Sequence, residues 1–144
     1  MRVPRVLLDT NVLISYLLTT RADSPIVRVV EAGLRGVYTL LLPRDLSEEL
    51  ETRVRGKEYL SEHVAPDQLL ALVRIIEEVA EALPRISRPI PEVARDRGDD
   101  YLLAHALVGQ ADYLVTGDRD LLILGHVGDT RILSVAEFAD LCAG

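Results

Sequence analysis

Acidic residues lie at positions where a parallel β-sheet could bring them together. Asp9 directly follows the short apolar run 6–8, and Asp118 comes just after a predicted strand that ends at Thr116. Apolar runs of this length are typical of buried parallel strands. Because parallel sheets bind their ligands beyond the carboxyl ends of the strands, we expect both carboxylates at one edge. A helix N-cap is the plainer interpretation of each, since Asp is a good N-cap residue.

Two neighbouring glutamates of a predicted helix are candidates for the same edge, and helical geometry separates them. Apolar residues at positions 46, 50 and 54 define the buried side of a helix predicted from residue 44 to about residue 57. Glu48 points away from that side into solvent, whereas Glu49 lies at its margin, from which a side chain can reach a cleft. The plainer interpretation of Glu49 is an ion pair with Arg53 one turn later.

A third group of acids precedes a helix predicted over residues 100–110. At about 100° per residue, the apolar positions 102, 103, 106 and 107 share one face of this helix. Asp99 projects onto the middle of that face, Asp100 lies roughly a quarter turn away, and Asp96 could lie beside Asp99. Capping is again the alternative role for Asp99, and the choice between Asp99 and Asp100 stays open, like that between Glu49 and Glu48. His105 falls opposite the apolar face and is predicted to be solvated.

Four carboxylates on four elements then suggest a metal site: Asp9, Glu49, Asp99 and Asp118. Two unpaired carboxylates about 4 Å apart repel by roughly 4 kcal/mol at an effective dielectric constant near 20, so such a cluster needs a cation or protons. An all-oxygen ligand set favours Mg²⁺ or Mn²⁺, and no patterned histidine or cysteine cluster supports zinc. Two such ions can bind the attacking and leaving oxygens in phosphodiester hydrolysis.

Composition limits the class of protein. The chain has 144 residues, of which 49% are hydrophobic and 27% charged, which suits one globular domain and excludes a disordered tail or a disulfide scaffold. The net charge of −7 argues against a basic nucleic-acid binder but not against a nuclease that uses metal ions. A lone cysteine, no signal peptide and no apolar run of roughly 18 residues lead us to expect a cytoplasmic protein without a membrane segment.

Strands and helices must alternate to position these acids. Strands are predicted at residues 6–8, 37–42, 112–116 and 131–133, and helices at 12–18, 25–34, 44–57, 66–83 and 100–110. A capping box of Ser134 and Glu137 opens a final helix, and residues 86–91, with two prolines, are predicted to form a loop or edge segment. The alternation predicts a single α/β domain over residues 1–144, with a central parallel sheet in a three-layer α/β/α arrangement.

Four segments resemble, in order, the four motifs of PIN-domain ribonucleases. The first is VLLDTNVL at residues 6–13, and the second is SEEL at residues 47–50. The third is DRGDDYLLAHAL at residues 96–107, although Arg97 stands where a proline is frequent. The fourth is ADYLVTGDRDLL at residues 111–122. Within this family, the chain resembles the VapC-type toxins of toxin–antitoxin pairs.

The resemblance implies a small α/β/α fold and a divalent-metal-dependent endoribonuclease that hydrolyses RNA. The catalytic metal ligands that it implies are Asp9, Glu49, Asp99 and Asp118. It implies polar support from Asn11 and Thr116 and an outer role for Asp120, and Asp96 is a further supporting candidate. It also implies homodimers and a partner antitoxin. Basic residues near the motifs could hold flanking phosphates or could be ordinary solvated side chains: Arg53, Arg55, Lys57, Arg95, Arg97 and Arg119.

Two other interpretations remain open. Receiver domains and HAD-type phosphotransferases also place Asp at strand ends, but they need a lysine late in the fold, and the only lysine here is Lys57 in an early helix. The second alternative is a PIN-like module that binds RNA or protein without catalysis. Cleavage of RNA with added Mn²⁺ would separate these interpretations.

Overall fold

The computed structural model describes residues 2–86 and 97–143, with only the backbone at residues 97–99. Within these residues the strands are β1 (Arg5–Leu8), β2 (Thr39–Pro43), β3 (Glu81–Leu83), β4 (Tyr113–Val115), β5 (His126–Val127) and β6 (Thr130–Leu133). The helices are α1 (Thr10–Leu18), α2 (Pro25–Leu34), α3 (Leu46–Gly56), α4 (Glu58–His63), α5 (Pro66–Val79), α6 (Arg97–Val108), α7 (Arg119–Leu124) and α8 (Val135–Ala143).

The strands form one sheet in the order β3-β2-β1-β4-β6-β5, parallel except for β5, which runs antiparallel to β6 at the edge. In the central strand, Leu7 pairs with Leu41 of β2 and Leu114 of β4. Just past β1, the Asp9 N–H donates to the Val115 carbonyl at 2.9 Å. The carboxyl ends of β1 and β4 therefore lie side by side, as the parallel arrangement predicts.

Helices cover both faces of the sheet, which confirms the α/β three-layer class. Side chains alternate between the faces of a strand, so Val6 and Leu8 belong to one apolar cluster and Leu7 to another. Helices α1–α5 and α8 contribute to the first cluster, and α6 and α7 complete the second with Leu103 and Leu121. No helix in the described part of the chain is long and apolar enough to cross a membrane.

The predicted helix over residues 66–83 is wrong at its end. Helix α5 stops at Val79, and Glu81–Leu83 form the edge strand β3 beside β2. The strand is stabilised by tertiary partners, because the Arg5 guanidinium binds the Glu81 carboxylate at 2.9 and 2.6 Å and Leu83 packs into the core. Helical periodicity in the sequence carries no information about partners that are this distant in the chain.

Other boundaries differ by smaller amounts. The helix predicted over residues 44–57 begins at Leu46, and the short helices α4 and α7 and strand β5 are additional elements. The capping box before α8 is confirmed by two reciprocal hydrogen bonds. The Ser134 N–H donates to Glu137 Oε1 at 3.1 Å, and the Glu137 N–H donates to Ser134 Oγ at 3.1 Å. Of the predicted loop at residues 86–91, only Ile86 lies among the described residues.

Candidate active site

Asp9 is held at the carboxyl edge of the sheet by the end of β4 and by the first turn of α1. It is the N-cap of α1, and its Oδ1 accepts a hydrogen bond from the Asn11 N–H at 3.2 Å. Its Oδ2 accepts a 2.7 Å bond from the buried Thr116 hydroxyl. The capping interpretation is therefore confirmed, but it accounts for only one of the two carboxylate oxygens.

Asp118 is placed by the same threonine. The Asp118 N–H donates to Thr116 Oγ1 at 3.0 Å, while Asp118 Oδ1 caps α7 by accepting from the Asp120 N–H at 2.9 Å. One hydroxyl thus joins the end of β1 to the start of α7. Asp120 itself is exposed, and its described contact to Asp118 is made by the backbone.

Glu49 approaches this edge from helix α3. Arg53 Nη2 lies 2.9 Å from Glu49 Oε1, and Arg53 Nη1 donates to Asn11 Oδ1 at 2.9 Å. The predicted ion pair between Glu49 and Arg53 is therefore present, and it also reaches the first motif through Asn11. Glu48 borders a different cavity, on the side of α3 toward β3.

A cavity of about 110 Å³ unites these side chains. The described residues that line it are Asp9, Thr10, Asn11, Pro43, Asp45, Leu46, Glu49, Arg53, Tyr101, Leu102, His105 and Asp118. Three of the four carboxylates expected at the site, Asp9, Glu49 and Asp118, are thus brought to one cavity. The structure favours Glu49 over Glu48 for this position, because only Glu49 borders that cavity.

The third motif is only partly described. The side chain of Asp99 and the whole of Asp96 lie outside the described residues, as do Arg95 and the side chain of Arg97. Asp100 is described and is buried on α6, but it is not among the described residues that line the cavity.

The prediction that His105 is solvated is wrong. Its side chain is 1% exposed and packs edge to face with Tyr101, with ring centroids 4.5 Å apart. Helix α6 is buried on two nearly opposite sides, since Leu103 packs in the core while Tyr101 and His105 border the cavity. In contrast, Leu107, predicted to share the apolar face, is 48% exposed. The prediction therefore missed the buried side of α6 that holds Tyr101 and His105. It also extended the apolar face too far toward the C-terminus, to Leu107.

The buried imidazole is unusual in its hydrogen bonding. Neither ring nitrogen of His105 has a hydrogen-bond partner within the described part of the chain. Burial lowers the pKa of His105 below its ordinary value, and the Asp45 carboxylate opposes that shift in part. The ring therefore favours its neutral form.

Asp45 is a cavity residue that sequence analysis did not single out. It occupies the N-cap position of α3 but makes no side-chain cap; its Oδ2 instead accepts from the Tyr101 hydroxyl at 3.2 Å, and Arg85 Nη2 lies 3.0 Å from its Oδ1. Burial raises the pKa of Tyr101, and the bond to Asp45 adds to the increase. The signal that could have revealed Asp45 is its position two residues after the end of β2, near the same edge of the sheet as Asp9 after β1.

The donor chemistry of the cavity fits a hard divalent cation. Asp9, Glu49 and Asp118 offer carboxylate oxygens, the ligand type that suits Mg²⁺ and Mn²⁺. Among the described residues, no three side chains of His, Cys, Asp or Glu are close enough to form a metal cluster as they stand. Glu49 is engaged by Arg53, so completing such a cluster would require at least that this contact change.

Comparison with known proteins agrees with this architecture. The profile of the PIN-domain family matches residues 5–120, which span β1 to the start of α7. The fold is similar to that of a chain in the crystal structure of VapBC2 from Rickettsia felis bound to a DNA fragment from their promoter. The TM-score is 0.56 and the sequence identity 15%, over 90% of this chain and 98% of that one. No curated protein matches the chain. Because the family profile covers most of its length and all four described acids of the cavity, the chain belongs to the PIN-domain family.

Proposed function

We propose that this protein is a divalent-metal-dependent endoribonuclease that hydrolyses phosphodiester bonds of RNA. The observation that carries the proposal is the meeting of Asp9, Glu49 and Asp118 at one cavity in a PIN-domain chain. These acids come from three separate parts of the sequence. Among the described residues, Glu49 has an arginine partner, whereas Asp9 and Asp118 have none. The negative charge of these two aspartates at one cavity supports a cation site there, in addition to their capping roles.

The proposed roles follow from the contacts. Asp9, Glu49 and Asp118, with Asp99 as the fourth acid, would hold Mg²⁺ or Mn²⁺. When bound, the metal would supply a nucleophilic water at neutral pH and stabilise charge on the phosphoryl oxygens. Attack by water at phosphorus, with the 3′ oxygen as the leaving group, would give a 5′-phosphate and a 3′-hydroxyl.

The side chains around these acids would orient them. The Thr116 hydroxyl holds Asp9 Oδ2, which leaves the Oδ1 side of that carboxylate toward Asn11. Asn11 in turn binds Arg53 at 2.9 Å. Thr116 and Asn11 are therefore proposed as positioning residues, and Asp96 and Asp120 as more distant support.

We extend the proposal to the partners of the chain. The similarity of its fold to a chain of VapBC2 supports a toxin silenced by a cognate antitoxin. We further propose that residues 1–144 form one PIN-like domain and that it acts as a homodimer. Growth arrest on expression, relieved by the product of an adjacent gene, would test the toxin role, and light scattering would test the dimer.

Cleavage assays with matched variants test the nuclease proposal. Labelled single-stranded RNA is incubated with Mn²⁺ and with wild type, Asp9→Asn, Glu49→Gln or Glu48→Gln. We expect cleavage by wild type and by Glu48→Gln, loss of at least about 100-fold in the other two, as for removal of a group essential to catalysis, and complete loss in EDTA. Circular dichroism checks that each variant is folded.

Two results would overturn the proposal. Full activity in Asp9→Asn or in EDTA would remove the metal mechanism. Binding of RNA by wild type without cleavage, at any Mn²⁺ concentration, would favour the alternative of a catalytically inactive PIN-like binding module.

A further inference from the structure

Arg53 occupies an unusual place in the cavity, because it is bound to two motif residues at once. Its Nη2 lies 2.9 Å from the Glu49 carboxylate and its Nη1 donates to Asn11 Oδ1 at 2.9 Å. The guanidinium therefore spans the gap between helix α3 and the N-terminal turn of α1. It brings one positive charge to a cavity that Asp9, Glu49 and Asp118 make negative.

This contact competes with any cation that uses Glu49. A carboxylate oxygen that accepts a charge-assisted bond from Arg has lost part of its capacity to donate electron density to a metal. The side chains of Arg53 and Glu49 are 39% and 46% exposed, so the pair is partly solvated and can open at modest cost. Arg53 is thus an internal counter-ion that a cation must displace in order to use Glu49 Oε1.

The released guanidinium has an evident second use. Its planar fork matches two phosphate oxygens, which makes Arg the preferred residue for bidentate phosphate contacts. The bond from Nη1 to Asn11 does not involve Glu49, so it can keep the side chain at the cavity after Nη2 is freed.

We propose that Arg53 competes with the divalent metal for Glu49 in the free protein and binds an RNA phosphate once it is displaced. Metal and RNA then bind cooperatively, because each favours the state in which the Arg53–Glu49 pair is open. The free protein holds the metal weakly and becomes competent when substrate is present. This inference rests on the proposed function in one respect, namely that Glu49 is a metal ligand.

Helix α3 supplies a matched control for this pair. Arg55 and Glu51 have the same i,i+4 spacing, with Arg55 Nη2 3.9 Å from Glu51 Oε2. The Arg55 side chain is 75% exposed, and neither residue is among the described residues that line the cavity. Removing the Arg55 charge therefore changes the net charge of the protein by the same amount as removing the Arg53 charge, but it leaves the ion pair between Arg53 and Glu49 in place.

Calorimetric titration of Mn²⁺ tests the proposal without relying on activity. Wild type, Arg53→Gln and Arg55→Gln are titrated alone and with a 2′-O-methyl phosphorothioate oligonucleotide, which resists hydrolysis. Alone, Arg53→Gln should bind Mn²⁺ about two- to fivefold more tightly than wild type, the range that a partly exposed ion pair allows. Arg55→Gln should match wild type.

The oligonucleotide measures the cooperativity. It should raise the Mn²⁺ affinity of wild type about two- to fivefold more than that of Arg53→Gln, because opening a partly exposed ion pair contributes no more than removing the pair does. The increase that Arg53→Gln keeps comes from direct contact between metal and phosphate. Arg53→Lys, which keeps the charge but not the planar fork, should also lose most of the additional increase seen in wild type and serves if Arg53→Gln does not fold.

The outcomes separate this inference from the proposed function. If wild type binds Mn²⁺ and cleaves RNA but Arg53→Gln binds Mn²⁺ no more tightly, or Arg55→Gln tightens equally, the competition is refuted and the nuclease stands. If none of the proteins binds Mn²⁺ with or without oligonucleotide and wild type does not cleave, the proposed function fails and this inference fails with it.

Discussion

Replacing Thr116 with valine tests how the two strand-end acids are held in place. The Thr116 hydroxyl is fully buried, donates to Asp9 Oδ2 at 2.7 Å and accepts from the Asp118 N–H at 3.0 Å. Valine has nearly the same shape but can do neither. The lost bond to a carboxylate is worth about 1.5–3 kcal/mol and the unpaired N–H costs about 1–3 kcal/mol, while the added buried methyl group returns about 0.8 kcal/mol.

The expected net effect is a decrease of about 2–5 kcal/mol in the free energy of unfolding. With an unfolding entropy of about 2.1 cal/mol/K per residue, this decrease corresponds to a Tm lower by roughly 7–17 °C. The assay is urea and thermal unfolding followed by circular dichroism in EDTA, so that bound metal does not contribute.

Thr116→Ser is the control for this prediction. It keeps the hydroxyl and removes one methyl group, at an expected cost of about 1 kcal/mol. If Thr116→Val is as stable as Thr116→Ser or more stable, the hydroxyl does not hold the two acids and the reasoning is refuted. A second readout is Mn²⁺ affinity, which should fall in Thr116→Val and stay near the wild-type value in Thr116→Ser.

Three further predictions concern the packing around helix α6 and the end of α3. His105→Leu should keep or raise the free energy of unfolding at pH 7.5, because the imidazole, which has no hydrogen-bond partner among the described residues, carries a desolvation cost of roughly 1–3 kcal/mol. Burial lowers the pKa of His105 below its ordinary value, so the unfolded state binds the proton more readily than the folded state. In urea unfolding, wild type should therefore lose more stability than His105→Leu between pH 7.5 and 5.5. Equal losses in the two proteins would contradict this. Gly109→Ala should lower the free energy of unfolding by about 1–3 kcal/mol, because the new Cβ would lie 2.8 Å from Leu83 Cδ1. At Gly56, an added Cβ would meet open space among the described residues beyond its own helix, so Gly56→Ala should be neutral or stabilising by up to about 1 kcal/mol. Thermal unfolding measures both glycine variants, and similar effects would argue against the contact between the new Cβ and Leu83.

Much of the fold could be predicted because its signals are local. The capping box of Ser134 and Glu137 forms as its spacing predicts, and α2 begins at Pro25 directly after Ser24. The continuous apolar runs predict β1 and β4 because strands buried on both faces need no polar alternation. In each case the residues that decide the structure are within a few positions of one another.

Part of the candidate site could also be predicted from local signals in the sequence. Asp9 and Asp118 follow strands, and the parallel arrangement alone puts such positions at one edge. The distinction between Glu49 and Glu48 follows from the apolar side of α3, and the structure places only Glu49 at the cavity with those acids. That these acids bind a metal stays a prediction.

The sequence by itself thus determined the α/β class, the alternation of elements and the edge of the sheet at which acids gather, because spacing along one helix or strand is enough for each. Only the tertiary structure decided that residues 81–83 form a strand, that His105 is buried and that Asp45 turns from its helix toward Tyr101. Each of these depends on partners distant in the chain: β2 and Arg5 for the strand, and the cavity wall for the other two. Local periodicity reports which face of an element is apolar, but not how many neighbours will cover it.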